Sequence, residues 1–230
     1  MNVAIIVAAG RGSRAGGARA KQFRELSGIP IIIHALARFE LCETIQEAFV
    51  VLPADACEGF LALAAGHGLR KVARAVEGGE TRAESVWRGL QALDPEGVEV
   101  IAVHDGVRPF VTPAEIDRTV SAADEHGAAV LAAPAVETVK EVVDGRVVRT
   151  LERARLWQAQ TPQCFRFELL RRAYEQPGAL GADVTDCSAL VERLGESVRV
   201  VEGGADNIKI TTPRDFAIAE VLVNKFRYQG

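Results

Sequence analysis

The segment Ala8-Ala9-Gly10-Arg11-Gly12-Ser13-Arg14 follows a short apolar run near the start of the chain, and Lys21 closes the same loop. Glycines let a backbone pass close to a ligand. They also let successive N–H groups point outward as an anion nest. Arg14 and Lys21 add two cations, a combination that suits a triphosphate. Gly10, Gly12 and Ala15 also match the G-x-G-x-x-G/A pattern of dinucleotide binders. That pattern expects an acid about 20 residues on. The corresponding stretch, Pro30-Ile31-Ile32-Ile33-His34, holds no carboxylate. A Walker A loop needs Gly-Lys-Ser/Thr, which is missing. An ordinary surface loop is the remaining alternative, and the crowding of Arg11, Arg14, Arg19 and Lys21 speaks against it.

A second group is Val103-His104-Asp105-Gly106-Val107-Arg108-Pro109. An acid at the carboxyl end of a strand, beside Gly and Arg, is placed to meet a hydroxylated or metal-bound ligand. Asp105 could equally form a turn or cap a helix. His104 lies beside an apolar strand, where a structural histidine is commoner than a catalytic base. A third group is Ala205-Asp206-Asn207-Ile208-Lys209-Ile210-Thr211. One lysine between two isoleucines suggests a strand that turns its ammonium inward, toward a phosphate. An edge-strand lysine that discourages aggregation is the alternative.

These groups need a scaffold, and 230 residues suffice for one or two domains with a sizeable core. Apolar residues at 48% and charged residues at 25% are the balance of a globular protein, which argues against disorder and low-complexity architecture. The 27 Lys+Arg against 31 Asp+Glu give a net charge of −4, so nothing global draws the chain onto nucleic acid or an anionic membrane. The cysteines Cys42, Cys57, Cys164 and Cys187 form no CxxC and read as reduced, mostly buried thiols of a cytoplasmic protein. No apolar run nears the roughly 18 residues of a membrane span. The N-terminal residues lack the pattern of a signal peptide.

Strand-like runs at Val3–Ala8, Ala48–Leu52, Lys71–Ala75, Val98–Val103 and Ala128–Ala133 alternate with helix-like segments. The helices are expected from Pro30 to about Phe39, then at Asp55–Ala65, Thr81–Leu93 and Pro113–Glu125. That alternation implies βαβ units and a mostly parallel sheet with helices on both faces. Thr138–Val143, Asp144-Gly145 and Arg146–Thr150 read as a hairpin. An isolated hairpin is marginal in water, so a partner is expected to cover it. Helices at Arg166–Tyr174, Thr185–Leu194 and Pro213–Phe226 and a strand at Val198–Val201 complete the pattern. The N-cap of the second of these helices is Thr185 or Asp186.

The loop, the His104-Asp105-x-x-Arg108-Pro109 segment, Leu156-Trp157-Gln158-Ala159-Gln160-Thr161-Pro162-Gln163, Thr185-Asp186 and Asp206-Asn207-Ile208-Lys209 occur in one order along nearly the whole chain. Together they resemble the 2-C-methyl-D-erythritol 4-phosphate cytidylyltransferase family of non-mevalonate isoprenoid biosynthesis. The resemblance implies a Rossmann-like α/β nucleotidylyltransferase domain over residues 1–230, with 136–155 as a protruding β-arm for homodimer contact. It implies transfer of CMP from CTP to methylerythritol phosphate with Mg²⁺, releasing pyrophosphate.

By that resemblance Arg14 and Lys21 stabilise the transition state, and Arg153 and Lys209 position the acceptor phosphate. Ala8, Ala9, Gly10 and Gly12 wrap the nucleotide, while Gly79, Glu80, Ser85 and Gly106 hold cytosine and ribose. Asp105, Arg108, Thr138, Thr161 and Thr185 line the acceptor pocket, with Thr138 and Arg153 reaching the neighbouring subunit's site. No dense carboxylate cluster is visible, so Mg²⁺ is expected mainly on the CTP phosphates, with Asp105 a candidate ligand. Glu80 stands where the family usually has aspartate, Ala20 where proline is common, and Gly106-Val107 where two alanines are. The pyrimidine contacts are the ones that Glu80 puts in question. Transfer to ribitol 5-phosphate is the nearest alternative. A nicotinamide oxidoreductase and a non-catalytic nucleotide-binding dimeric scaffold are alternatives of other classes.

Overall fold

The computed structural model of the chain describes residues 1–10, 20–181 and 184–227. Gly12 and Arg14 lie outside these residues. The first strand, β1 (Val3–Val7), is apolar on both faces. A short hairpin of β2 (Glu25–Leu26) and β3 (Ile29–Pro30) leads into α1 (Ile31–Leu41) and β4 (Glu47–Leu52). The helix expected over 55–65 is two pieces, α2 (Ala54–Cys57) and α3 (Phe60–Gly66). They part at Gly59, whose φ of +76° is a conformation that glycine adopts without strain. Then come β5 (Val72–Glu77), α4 (Arg82–Gln91), β6 (Val100–Asp105), α5 (Pro113–His126) and β7 (Ala128–Pro134).

The sheet order is β5-β4-β1-β6, continued through β7 and two strands introduced below. The pairs β1/β4, β1/β6 and β4/β5 are parallel. Side chains alternate between two cores. Ala4 and Ile6 join Leu36, Phe39, Val50, Ala102 and Val120 on one face. Val3 and Ile5 join Val51, Val86, Leu90, Ile101 and Val103 on the other. Strands buried on both faces read as continuous apolar runs, which is why β1, β4 and β6 were visible in the sequence.

Two helices begin with reciprocal caps. Thr81 accepts from Glu84 N while the Glu84 carboxylate accepts from Thr81 N, and Thr112 and Glu115 repeat the arrangement at α5. Each cap satisfies two backbone donors that a helix start leaves unpaired.

The hairpin is β8 (Lys140–Val143) with β9 (Arg146–Thr150). Asp144 and Gly145 both have positive φ, the requirement of a two-residue turn that matches strand twist. Its strands pair with each other in a sheet of their own, and Val142, Val143, Val147 and Val148 are each more than half exposed. Next is a strand that the pattern did not predict, β10 (Trp157–Arg166), antiparallel to both β6 and β7. The chain ends with α6 (Phe167–Tyr174), α7 (Cys187–Arg193), β11 (Arg199–Glu202) and α8 (Pro213–Arg227). The full order is β5-β4-β1-β6-β10-β7-β11, with β11 parallel to β7.

Residues 203–211 form no strand among the described residues, which corrects the expectation for the Lys209 segment. They are pinned individually instead. Gly203 N donates to Ala132 O, Gly204 N to the Glu115 carboxylate and Ile210 N to Val107 O. A third apolar cluster of Leu26, Ile31, Val107, Phe110, Ile210, Ala219 and Val223 packs α8 beneath this segment. The Arg24 guanidinium lies 4.2 Å from the centre of the Phe216 ring, tying the residues after Lys21 to the same helix.

Candidate active site

β1 and β6 end side by side where the sheet order reverses, and open α/β sheets bind ligands in the crevice at such a point. Ala8 N donates to Val51 O and Gly106 N to Val7 O, so both loops leave their strands at fixed heights. A Cβ added at Gly106 would lie 3.0 Å from Ala8 Cβ, and one at Gly78 only 2.2 Å from Ala9 Cβ. These two glycines allow the loops after β6 and β5 to close on the loop after β1. Gln22, beside Lys21 and buried, donates to Ala8 O at 2.6 Å and holds the far side of that loop. Gly10 is exposed and Ala9 half-buried at the rim.

The residues Gly79, Glu80 and Ser85 form one structural unit. Gly79 N donates to Ser85 Oγ at 3.1 Å, Ser85 Oγ donates to Thr81 O at 2.9 Å, and Glu80 N donates to Glu84 Oε2 at 2.7 Å. The Ser85 hydroxyl shapes the loop from within, and the Glu80 residue is exposed.

At the end of β6 the buried Asp105 carboxylate is surrounded by cations. Arg82 Nε lies 2.9 Å from Oδ1, Lys209 Nζ 2.8 Å from Oδ2 and Arg108 Nε 3.7 Å from Oδ2. Three cations on one carboxylate leave an excess of two positive charges. Burial raises the Asp105 carboxyl, but Arg82, Lys209 and Arg108 overcome it and hold it well below the usual carboxylate range. Burial works against the charge of Arg82 too, and Asp105 more than reverses it. Arg108, farther from the carboxylate, is lowered by burial. Its Nη1 donates to Asn207 O at 2.7 Å, while Nε has no hydrogen-bond partner among the described residues.

His104 is fully buried with its ring committed. Nε2 faces Arg108 O at 3.0 Å and must carry the proton, because a carbonyl only accepts. Nδ1 therefore accepts from Thr161 Oγ1 at 3.0 Å, and that oxygen accepts from Asp105 N at 3.1 Å. Burial lowers the imidazole to about 4. The histidine is structural, as the sequence suggested. Thr161, expected in the acceptor pocket, spends its hydroxyl proton on His104 and so sets the height of Asp105.

β10 supplies further polar supports. Asn207 Nδ2 donates to Gln160 Oε1 and to Thr161 O, fixing the segment that carries Lys209. Gln163 donates to Asp186 Oδ2 and accepts from Cys187 N. Asp186 caps α7 through Ala189 N, and Thr185 beside it is exposed. Thr138 and Arg153 are exposed at the root of the hairpin, where Arg153 donates to Val136 O at 2.8 Å. Neither joins the Asp105 cluster within the described residues. Arg82 was missed by sequence reasoning. Its signal is a cation at the first position of a helix, where the dipole disfavours it and an anionic partner is needed.

Among the described residues no group of three or more His, Cys, Asp or Glu could hold a metal ion. Asp105, the candidate ligand, has Oδ1 on Arg82 and Oδ2 on Lys209, so a metal would have to displace one of them. The donor set does not fit a protein-bound cation. With its excess of two positive charges, the arrangement suits an anion.

Residues 2–225 match the profile of the 2-C-methyl-D-erythritol 4-phosphate cytidylyltransferase family. A protein of that name from Pelotomaculum thermopropionicum is 43% identical over 222 residues, covering 96% of this chain and 93% of that one. The Bacillus velezensis protein of the same name is 44% identical over 225 residues, covering 96% and 95%. The crystal structure of the 4-diphosphocytidyl-2C-methyl-D-erythritol synthase from Anaerococcus prevotii superposes with a TM-score of 0.85 at 33% identity, covering 97% and 96%.

Proposed function

The chain belongs to the 2-C-methyl-D-erythritol 4-phosphate cytidylyltransferase family, and from that premise we propose how its residues divide the work. The activity is CTP-dependent cytidylyl transfer to 2-C-methyl-D-erythritol 4-phosphate in non-mevalonate isoprenoid biosynthesis. The observation that carries the assignment of roles is the Asp105 cluster, with its excess of two positive charges beside the carboxyl end of β1.

A phosphate monoester is largely a dianion at neutral pH, its second pKa being about 6. It matches that excess and needs no general base to become a nucleophile. Lys209 exchanges Asp105 for the acceptor phosphate, with Arg108, whose Nε–H makes no hydrogen bond among the described residues, a second donor. The Asp105 edge that Lys209 leaves then accepts from acceptor hydroxyls. An acceptor oxygen attacks the α-phosphorus of CTP in line, and pyrophosphate leaves.

Lys21 and Arg14 act on the charge that builds on the triphosphate. Ala8, Ala9, Gly10 and Gly12 follow its phosphates, while Gly79, Glu80, Ser85 and Gly106 bound the nucleoside. Catalysis is mostly positioning and charge stabilisation. The residues present would leave Mg²⁺ to the CTP phosphates, whose charge it would help neutralise. The working unit is a homodimer in which the 136–155 arm brings Thr138 and Arg153 to the partner's acceptor pocket. Exposed valines on a lone hairpin support this reading, because a two-stranded sheet gains stability only when covered. Thr185 completes the acceptor pocket from the start of α7.

No helix among the described residues is long and apolar enough to cross a membrane, in keeping with small-molecule substrates in the cytoplasm. The test is pyrophosphate release with CTP, UTP, ATP and GTP crossed against methylerythritol phosphate, ribitol 5-phosphate and no acceptor. Release confined to CTP with methylerythritol phosphate is expected. Release with ribitol 5-phosphate alone would overturn the acceptor, and CTP binding without any release would favour a scaffold.

A further inference from the structure

We propose that Arg82 is a positioning residue for the acceptor, acting through Asp105 and tying acceptor binding to the nucleotide-side loop. The inference rests on the functional reading above and adds a residue to it. Arg82 is the first residue of α4, directly after the Gly78-Gly79-Glu80 loop and the Thr81 cap. A cation in the first turn of a helix works against the helix dipole, and this one is three-quarters buried as well. Its position therefore depends on a partner, and the partner is Asp105 Oδ1 at 2.9 Å.

The geometry divides the carboxylate into two edges. Arg82 holds Oδ1, so Oδ2 alone faces Lys209 and Arg108. When an acceptor phosphate takes Lys209, the carboxylate keeps its orientation because the Arg82 edge is not exchanged. The far end of Arg82 is anchored rather than free for ligand. Nη1 lies 3.6 Å from Cys187 Sγ, itself 3.4 Å from the Tyr174 hydroxyl, and Cys187 and Tyr174 are both buried. Cys187 opens α7 immediately after Thr185 and Asp186. One guanidinium thus joins the nucleotide-side loop, the end of β6 and the start of α7. Displacing it turns Asp105 and loosens the acceptor side, while the Gly79–Ser85 bond and the Thr81 cap keep the nucleotide-side loop in place.

The experiment is a double-substitution cycle on the full-length enzyme, using Arg82→Met and Asp105→Asn singly and together. It measures KM for CTP, KM for methylerythritol phosphate and kcat. Arg82→Met should raise the acceptor KM roughly tenfold or more while the CTP KM stays within about threefold. In the Asp105→Asn background the same substitution should change acceptor kcat/KM by less than about threefold, because its route is already cut. Arg82→Lys, which keeps the charge without the planar fork, should recover part of the loss. It also carries the test if Arg82→Met does not fold, through a smaller shift confined to the acceptor KM.

Equal factors in both Asp105 backgrounds would overturn the inference, as would parallel rises in both KM values or an unchanged acceptor KM. A wild-type enzyme that is silent with CTP and methylerythritol phosphate would overturn the functional reading, and the inference with it. An active wild type with an unsplit KM response would overturn the inference alone.

Discussion

Lys209 Nζ lies 2.8 Å from Asp105 Oδ2, although Asp105 ends β6 and Lys209 comes from the irregular segment after β11. The pair forms because that segment is pinned on both sides of the lysine. Ile210 N bonds to Val107 O and Asn207 is held by Gln160 and Thr161. An ammonium placed this way stays near a carboxylate without being locked to it, since the Lys209 side chain keeps 39% of its exposure. That is the condition for exchanging one anion for another.

His104 makes stability depend on pH in a defined direction. Burial lowers the folded-state value to about 4, against about 6.5 when unfolded. Its contribution is therefore complete above about 6.5, is lost as pH falls toward 4, and is flat below. The full loss is about 3 kcal/mol. Urea unfolding at pH 7 and pH 5 should show a drop about 2 kcal/mol larger in wild type than in His104→Gln. Equal drops would mean that the imidazole does not titrate as its buried, proton-committed geometry requires.

Thr161→Val keeps the volume and removes the hydroxyl between His104 and Asp105 N. It leaves a buried donor and a buried acceptor unpaired, at a cost of about 1–3 kcal/mol. Chemical denaturation should show that loss, together with a weaker acceptor KM because Asp105 is no longer held at its height. Unchanged stability would show that water or a neighbour replaces the hydroxyl.

Gly78→Ala tests the close approach of the loops after β5 and β1. The new methyl would fall 2.2 Å from Ala9 Cβ, and one of the two backbones must move. Overpacking of this kind costs about 1–3 kcal/mol. The KM for CTP should rise more than the KM for acceptor. A larger acceptor effect would place the loop on the wrong substrate.

The proposed arm can be tested by complementation. Arg153→Ala and Lys209→Met should each be weak alone. Mixed after unfolding and refolding together, they should recover about one quarter of wild-type sites, because each hybrid dimer holds one intact site. No gain over the parent variants would mean that each site is built from one chain. Val147→Asp should independently shift sedimentation toward monomer.

The sequence made β1, β4, β6 and β7 visible because strands buried on both faces are apolar throughout. It did not reveal β10, which lies in the middle of the sheet yet carries Gln158, Gln160, Thr161, Pro162 and Gln163. A proline normally argues against a central strand. Here the register shifts between Ala159 and Gln163, so the missing N–H falls where the ladder is interrupted. The buried polar side chains of β10 are spent on His104, Asp105, Asp186, Cys187 and Asn207, which no periodicity reports. Asp105, Arg108 and Lys209 stood out in the sequence by motif order, but that their side chains converge did not. Lys209 reaches Asp105 without a strand, and Arg82 belongs to no motif singled out in the sequence.

The most direct test of the account is the pair of specificity constants of Lys209→Met, measured beside wild type in pyrophosphate release. If Lys209 trades Asp105 for the acceptor phosphate, kcat/KM for methylerythritol phosphate should fall about 100-fold or more, by analogy with loss of one preorganised donor. The KM for CTP should stay within about threefold. A loss confined to CTP, or near-normal use of the acceptor, would contradict the assignment of the Asp105 cluster as the acceptor phosphate site.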